Sequence, residues 1–274
     1  NTGVEIMINS KNISTKNFSW TTGFQIATIK NEVTDIGGLN QILVGDFFTT
    51  SYAIIRPGEE LNAYYALDQI GIFQTEEEVA NSAQPSSAPG NPIYRDVNGD
   101  GQINGDDRVV VGSPWPDFTY GISNDITYKN TSLSFYIDGQ QGADLFNANI
   151  TYSLYPPTER QNRIRAQILD RWTPENTDAE WPSGINPSSY APYKIDSKQI
   201  EDASFIRLQS VKLSHTFKWF KSTTVYVTGQ NLLIVTNYSG LNPEANRNQN
   251  SNAWAERNAY PLARTYLLGV NLQF

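Results

Sequence analysis

Thr265-Tyr266-Leu267-Leu268-Gly269-Val270-Asn271-Leu272-Gln273-Phe274 is the stretch on which the fold turns. Tyr266, Leu268, Val270, Leu272 and Phe274 recur at a period of two. Thr265, Gly269, Asn271 and Gln273 fall between them, with Leu267 the one large apolar residue on that side. Strand side chains alternate between faces, so the stretch predicts a strand with one apolar and one mostly polar face. Its length is enough for a tilted strand to cross a bilayer. The closing aromatic suits a membrane interface, where barrels carry aromatic girdles. An ordinary half-buried strand of a soluble β-domain satisfies the same pattern, so what precedes it must decide.

Composition narrows the choice. The 274 residues are 39% apolar and 12% aromatic, with no cysteine and one histidine, His215. A disulfide framework is excluded, and a catalytic triad or His-rich metal site would have to use that single imidazole. His215 lies in a strand-like stretch with no partner motif, which reads as structural. No run approaches the apolar length of a transmembrane helix, so a β-barrel is the one way this chain could span a membrane. The net charge of −8 is uneven: residues 33–116 hold 12 acidic and 3 basic residues, and the remainder sums to +1. Such a balance argues against nucleic-acid binding, which needs clustered Lys and Arg. No Gly-rich loop leads into a helix, and no local pattern selects a carboxylate pair, so an enzyme is not expected. The chain opens directly on a strand-like run at Gly3-Val4, which suggests a mature fragment or the C-terminal portion of a longer protein.

Three hairpins precede the closing strand. Val4, Ile6 and Ile8 alternate with polar residues, a polar connection Ser10 to Asn17 follows, and Phe18, Trp20, Thr22, Phe24 and Ile26 form the return. Phe118 to Tyr128 and Leu133 to Ile137 flank the tight turn Tyr128-Lys129-Asn130-Thr131. The third hairpin runs from Ala203 to Val235, and its apolar phase changes between Ile206-Leu208 and Val211-Leu213, which predicts a bulge. Its turn carries Phe217, Trp219 and Phe220 beside Lys218 and Lys221, a mixture drawn to membrane interfaces. Between the hairpins lie long irregular connections, at about 32–116, 139–201 and 237–259. Helical turns are expected at Thr75 to Val79, with Thr75 as cap and Glu78 completing a capping box, and from Gln161 to Trp172. Short turns on one side and long loops on the other are the segregation expected of an outer-membrane barrel. Seven strands are too few to close one. The fold class is therefore all-β: about seven antiparallel strands forming the C-terminal portion of a large transmembrane β-barrel, over the whole span 1–274.

One motif suggests a metal. Asp96-Val97-Asn98-Gly99-Asp100-Gly101-Gln102-Ile103-Asn104-Gly105-Asp106-Asp107 follows the spacing of a calcium loop. Asp96, Asn98 and Asp100 supply oxygens at the first, third and fifth positions, and Gly101 allows the sharp turn at the sixth. The Gln102 carbonyl, Asn104 and Asp107 complete the set, with Asp in place of the usual terminal Glu. The expectation is a structural calcium ion that stiffens the loop; the alternative is an Asp/Asn/Gly turn cluster without metal.

Several stretches together resemble the C-terminal third of SusC/RagA-type TonB-dependent outer-membrane transporters of Bacteroidetes. They include Gly71 to Glu78, Tyr94 to Gly112, Pro116 to Gly121, Gly139 to Asn147, Asp170 to Asn176, Glu201 to Leu208, Gly229 to Leu232, Tyr238 to Glu244 and Tyr260 to Thr265. Ala263 stands where the family usually has Pro before Arg264. The resemblance implies a barrel of about 22 strands, of which these are about the last seven. It also implies a SusD-like surface lipoprotein lid, energy from TonB through an N-terminal part and a plug outside this sequence, and import of oligosaccharides or peptides. The competing expectation is a secreted soluble calcium-binding β-protein acting as a glycan-binding module. In the first case Leu133, Phe135, Ile137 and the apolar face of the closing strand meet outer-membrane lipid; in the second they are buried between sheets.

Overall fold

Period-two alternation becomes geometry when neighbouring strands are paired. A computed structural model describes residues 1–47, 50–150, 165–184, 195–244, 254–257 and 259–274. In chain order it contains β1 (Thr2–Ser14), β2 (Phe18–Lys30), β3 (Ile42–Phe47), β4 (Thr50–Ile55), β5 (Ala63–Leu67), β6 (Gln69–Ile72), α1 (Glu76–Ala80), β7 (Pro92–Tyr94) and β8 (Arg108–Gly112). There follow β9 (Phe118–Tyr128), β10 (Thr131–Gln141), β11 (Asp144–Asn147), α2 (Arg165–Leu169), β12 (Ile200–Asp202), β13 (Phe205–Phe217), β14 (Ser222–Thr236), β15 (Ala255–Glu256) and β16 (Thr265–Gln273). The seven long strands form one sheet in the order β1-β2-β9-β10-β13-β14-β16, every pair antiparallel.

Register aligns the apolar residues of separate strands into rows. Ile13, Trp20, Ile126, Leu133, Leu213, Val227 and Leu268 stand in one line across all seven strands. Ile8, Phe24, Ile122, Ile137, Leu208 and Leu233 form a second line on the same face. The opposite face carries Ser14, Ser19, Thr127, Ser132, Ser214, Tyr226 and Gly269 in one row, and Lys11, Thr21, Asp125, Ser134, Lys212, Thr228 and Leu267 in the next. The apolar face is exposed: Leu268 is 70% accessible and Leu213 52%. A soluble sandwich would bury that face against a second sheet; here no sheet covers it among the described residues, and the soluble-module expectation is not met. The row between these two lines is mixed, with Ser10, Thr22, Asn124, Phe135, Val211, Gly229 and Tyr266, and the two exposed apolar lines that flank it call for another apolar phase.

Three short turns, at residues 15–17, 129–130 and 218–221, lie at one end of the sheet, together with the end of β16. Lys129 takes a left-handed conformation to close the tightest of them, and its N–H reaches across to the carbonyl of Asn17 at 2.8 Å. At this end Trp219, Phe220 and Phe274 are exposed, and the rings of Phe220 and Phe274 lie 5.7 Å apart. The first turn is shorter than its polar residues suggest. Ser10 to Ser14 continue to pair, because a register shift at Asn12 absorbs one residue. The expected bulge of the third hairpin is present: register shifts between Leu208 and Ser210, and Asn231 opposite it is left-handed.

The buried core lies elsewhere, under the long connections. Phe47, Tyr52, Tyr64, Phe146 and Ile195 form its largest cluster, in which Phe146 packs edge-on to Phe47 at 5.4 Å and tilted on Tyr52 at 4.6 Å. Two small sheets frame it, β3-β4-β5-β8 and β12-β11-β15. Thr75 caps α1, accepting from the N–H of Glu78 at 3.1 Å. The reciprocal bond differs from a capping box: Glu78 accepts from the N–H of Gln74, not that of Thr75. Of the expected helix from Gln161 to Trp172, the described part is α2, and residues 161–164 lie outside the described residues.

Glycines let aromatic rings lie flat on the polar face. A Cβ on Gly121 would collide with the Tyr136 phenol, and one on Gly269 with the ring of Tyr226; the Tyr136 hydroxyl also accepts from Gln25 Nε2 at 2.9 Å. Gly121→Val should displace Tyr136 and cost about 1–3 kcal/mol, as overpacking does. The reading is a lowered urea midpoint for unfolding in detergent, with Gly121→Ala intermediate.

Candidate functional site

Where β10, β13 and the connection after β14 meet, charged side chains gather. Arg207 projects from the polar face of β13, and Asp138 is its cross-strand partner on β10. Arg207 is 7% accessible. It donates to Asp138 through Nε at 3.0 Å and through Nη2 at 2.5 Å, a bidentate pair. Its Nη1 donates to Glu244. One cation from the sheet thus holds two carboxylates, one on the wall and one on a connection. Removing a partner from such a desolvated set is costly, because it leaves charge uncompensated.

Around this point five parts of the chain, 113–117, 142–147, 201–204, 239–241 and Glu256, are brought together. Glu201 accepts from the Ser239 N–H and hydroxyl, both at 2.7 Å, and from Asn147 Nδ2 at 3.1 Å. Glu256, fully buried, accepts the Leu241 N–H with both oxygens at 3.1 Å. The Gly142 N–H donates to Ser204 Oγ at 3.0 Å. Gly142 is left-handed, with a φ of +85°, and a Cβ there would enter the Asp117 carboxylate. Asp144 accepts from the Ser113 N–H at 2.9 Å. Burial pushes its carboxyl up to about 6, aided by the nearby charges of Asp202 and Asp117 and opposed by the Ser113 bond.

Two hollows flank this junction. An outer one of about 600 Å³ is lined by Asp144, Asn242, Trp254 and Tyr260 among others. An inner one of about 560 Å³ lies along the sheet, with Glu5, Tyr136 and Asp138 in its wall. Gln140 and Glu244 line both. Trp254 packs against Trp115 with ring centroids 5.4 Å apart. The arrangement offers aromatic faces, amides and carboxylates, suited to holding a polar ligand by stacking and hydrogen bonds.

The calcium-like loop is separate from this junction. Gly99 and Gly101 take the left-handed backbone, with φ of +72° and +79°. Asp96 accepts the N–H groups of Gly99 at 2.7 Å and Gly101 at 2.9 Å. Asn98 accepts from Asp100, Asp100 from Gln102, and Asn104 from Asp106, each at 2.8–2.9 Å. Asp107 is fully buried and accepts the Val97 N–H at 2.9 Å and the Asn104 N–H at 2.8 Å, closing the loop's base. Each oxygen keeps a further lone pair. No three acidic or histidine side chains converge on one point among the described residues. His215 faces the apolar side, 2.7 Å from Thr131 Oγ1 and edge-on to Phe217.

Sequence reasoning assigned no role to Arg207, Asp138, Glu244 or Asp144. Three of them sit inside stretches that carry the family resemblance, and that coincidence was the available signal.

No family model matches the chain. Over its full length it is 32% identical to TonB-dependent receptor P26 and 29% identical to TonB-dependent receptor P3, both of Formosa agariphila, covering 29% and 28% of those proteins. It is 27% identical to TonB-dependent receptor SusC of Bacteroides thetaiotaomicron, covering 26% of it. The fold matches that of the RagAB peptide transporter with a TM-score of 0.72 at 24% identity, over 98% of this chain and 28% of that one. A RagAB peptide importer in a closed state gives 0.73 at 23% identity, over 98% of this chain and 29% of that one. The chain thus spans under a third of the length of its relatives. It is a homologue of the TonB-dependent receptors of the outer membrane, SusC among them, and corresponds to the C-terminal part of their β-barrel.

Proposed function

We propose that the chain forms the C-terminal wall of an outer-membrane importer of nutrient oligomers, oligosaccharides or peptides, and carries out no chemistry on them. The observation that carries this reading is the pair of faces: seven strands whose apolar rows are exposed on one side while hydroxyls, amides and charges line the other. The first suits lipid and the second a wet lumen. A SusD-like surface lipoprotein fits as the lid over the long connections, which would face outside. Energy would come from TonB through the plug and N-terminal part that lie beyond this chain's span of its relatives.

For the loop Asp96 to Asp107 we propose calcium as a reinforcing ion, held by Asp96, Asn98, Asp100, the Gln102 carbonyl and Asn104, with Asp107 closing the base. What supports this is that Asp96 accepts the N–H groups of both left-handed glycines, which makes the sharp turn a calcium loop needs.

Two measurements test these readings. Phe135 lies beside Val211 on the face that carries the two apolar lines, in the row between them and midway along β10. In the full-length protein, Phe135→Lys should cost about 2–4 kcal/mol at mid-depth and reduce assembly in the outer membrane. Normal insertion and normal uptake of oligomers by cells carrying that variant would count against the lipid-facing assignment. Calcium titrated into the folded protein should release heat with saturation below millimolar ion, and Asp100→Ala should abolish it; an absence of heat in the parent protein would refute the metal.

A further inference from the structure

The outer and inner hollows share two residues, Gln140 and Glu244, which line both walls. A ligand moving from the loop side toward the polar face of the sheet therefore passes Glu244. The charges along that course are one-sided. Asp144 and Glu244 line the outer hollow, and Glu5, Asp138 and Glu244 the inner one, with no Lys or Arg in either wall among the described residues. Arg207, which lines neither hollow, has its donors committed to Asp138 and Glu244. Two carboxylates on one guanidinium leave a surplus of negative charge at the constriction. Tyr260, fully open at 95% accessibility, and Trp254 add aromatic faces on the outer side, and a cation is attracted to such faces.

We propose that Glu244 is the charge-selecting residue of this passage. By masking Arg207 and facing both hollows, it favours oligomers that carry cationic groups, such as basic peptides, and repels those that carry carboxylates. Discrimination of this kind acts through the repulsive element as much as the attractive one. Glu244→Gln keeps the side chain's shape, removes one negative charge, and leaves an Arg207 donor without an ionic partner beside the path. The proposal rests on the import reading, since it gives a substrate class to that same course.

The test uses the full-length transporter in detergent at low ionic strength, with tetralysine, tetraglutamate and maltotetraose as probes of similar size. Binding is followed by intrinsic tryptophan emission, and Trp254→Phe identifies the signal of the outer hollow. The parent protein is expected to bind tetralysine at least tenfold more tightly than tetraglutamate. Glu244→Gln should shrink that ratio at least fivefold, Glu244→Asp should preserve most of it, and Asp144→Asn, which does not touch Arg207, should shrink it independently. A ratio unchanged in Glu244→Gln overturns the proposal, as does equal binding of both peptides, or saturable binding of maltotetraose alone, by the parent. Failure of the import reading appears separately, as a correctly inserted parent protein that takes up no oligomer in cells with functional TonB.

Discussion

A backbone that crosses hydrocarbon must satisfy every N–H and C=O within the protein, because no water is there to do it. Strands meet this demand by pairing with neighbours, and the remaining architecture follows from it. Pairing fixes the pleat, the pleat sends alternate side chains to opposite faces, and register then decides whether separate alternations add up. Here they do: seven apolar residues from seven strands fall in one row. Two strands, β1 and β16, end the sheet with one side unpaired. In the homologous barrels the chain covers under a third of the length, and the rest of those proteins supplies what closes the circle.

The chain uses two kinds of stabilisation in one covalent unit. Along the long strands, apolar side chains gain from a lipid phase and need no partner in the protein. Under the connections, a conventional core of aromatic and small residues is sealed from water, with Tyr52, Tyr64 and Phe146 at 2% accessibility or below. Buried carboxylates there are held by backbone groups, as Asp107 is by two N–H groups and Glu256 by the Leu241 N–H. The long connections in this fold thus share their structure: the sheet β12-β11-β15 joins strands of two of them, and the largest core cluster takes residues from all three.

What was legible in the sequence was what depends on neighbours in the chain. Strand alternation from Phe118 to Ile137, the tight turn at Lys129 and the phase change between Leu208 and Val211 are local signals, and each has its structural counterpart. Polar residues Ser10 to Ser14 misled because a register shift between Lys11 and Ile13 breaks the alternation and hid the continuation. The cluster of Arg207, Asp138 and Glu244 was illegible for a different reason. Its members are separated by up to 106 positions, and an ion pair leaves no periodic trace in either partner's neighbourhood. Only the topology, by setting β10 beside β13 and returning the chain over both, brings them within bonding distance.

The register shifts near Leu208 have a cumulative effect. Between the same two rungs, β10 uses two steps, from Ile137 to Phe135; β13 uses three, from Leu208 to Val211; and β14 uses four, from Leu233 to Gly229. At about 3.3 Å per residue, β14 carries roughly 7 Å more contour than β10 and roughly 3 Å more than its neighbour β13, and the surplus is folded in at a left-handed Asn231 instead of lengthening the ladder. A one-residue change of length in a two-faced strand would otherwise turn every later side chain over. Slack of this kind makes the wall tolerant: a single insertion or deletion can be stored as a kink at one rung while the lipid side and the water side both keep their occupants.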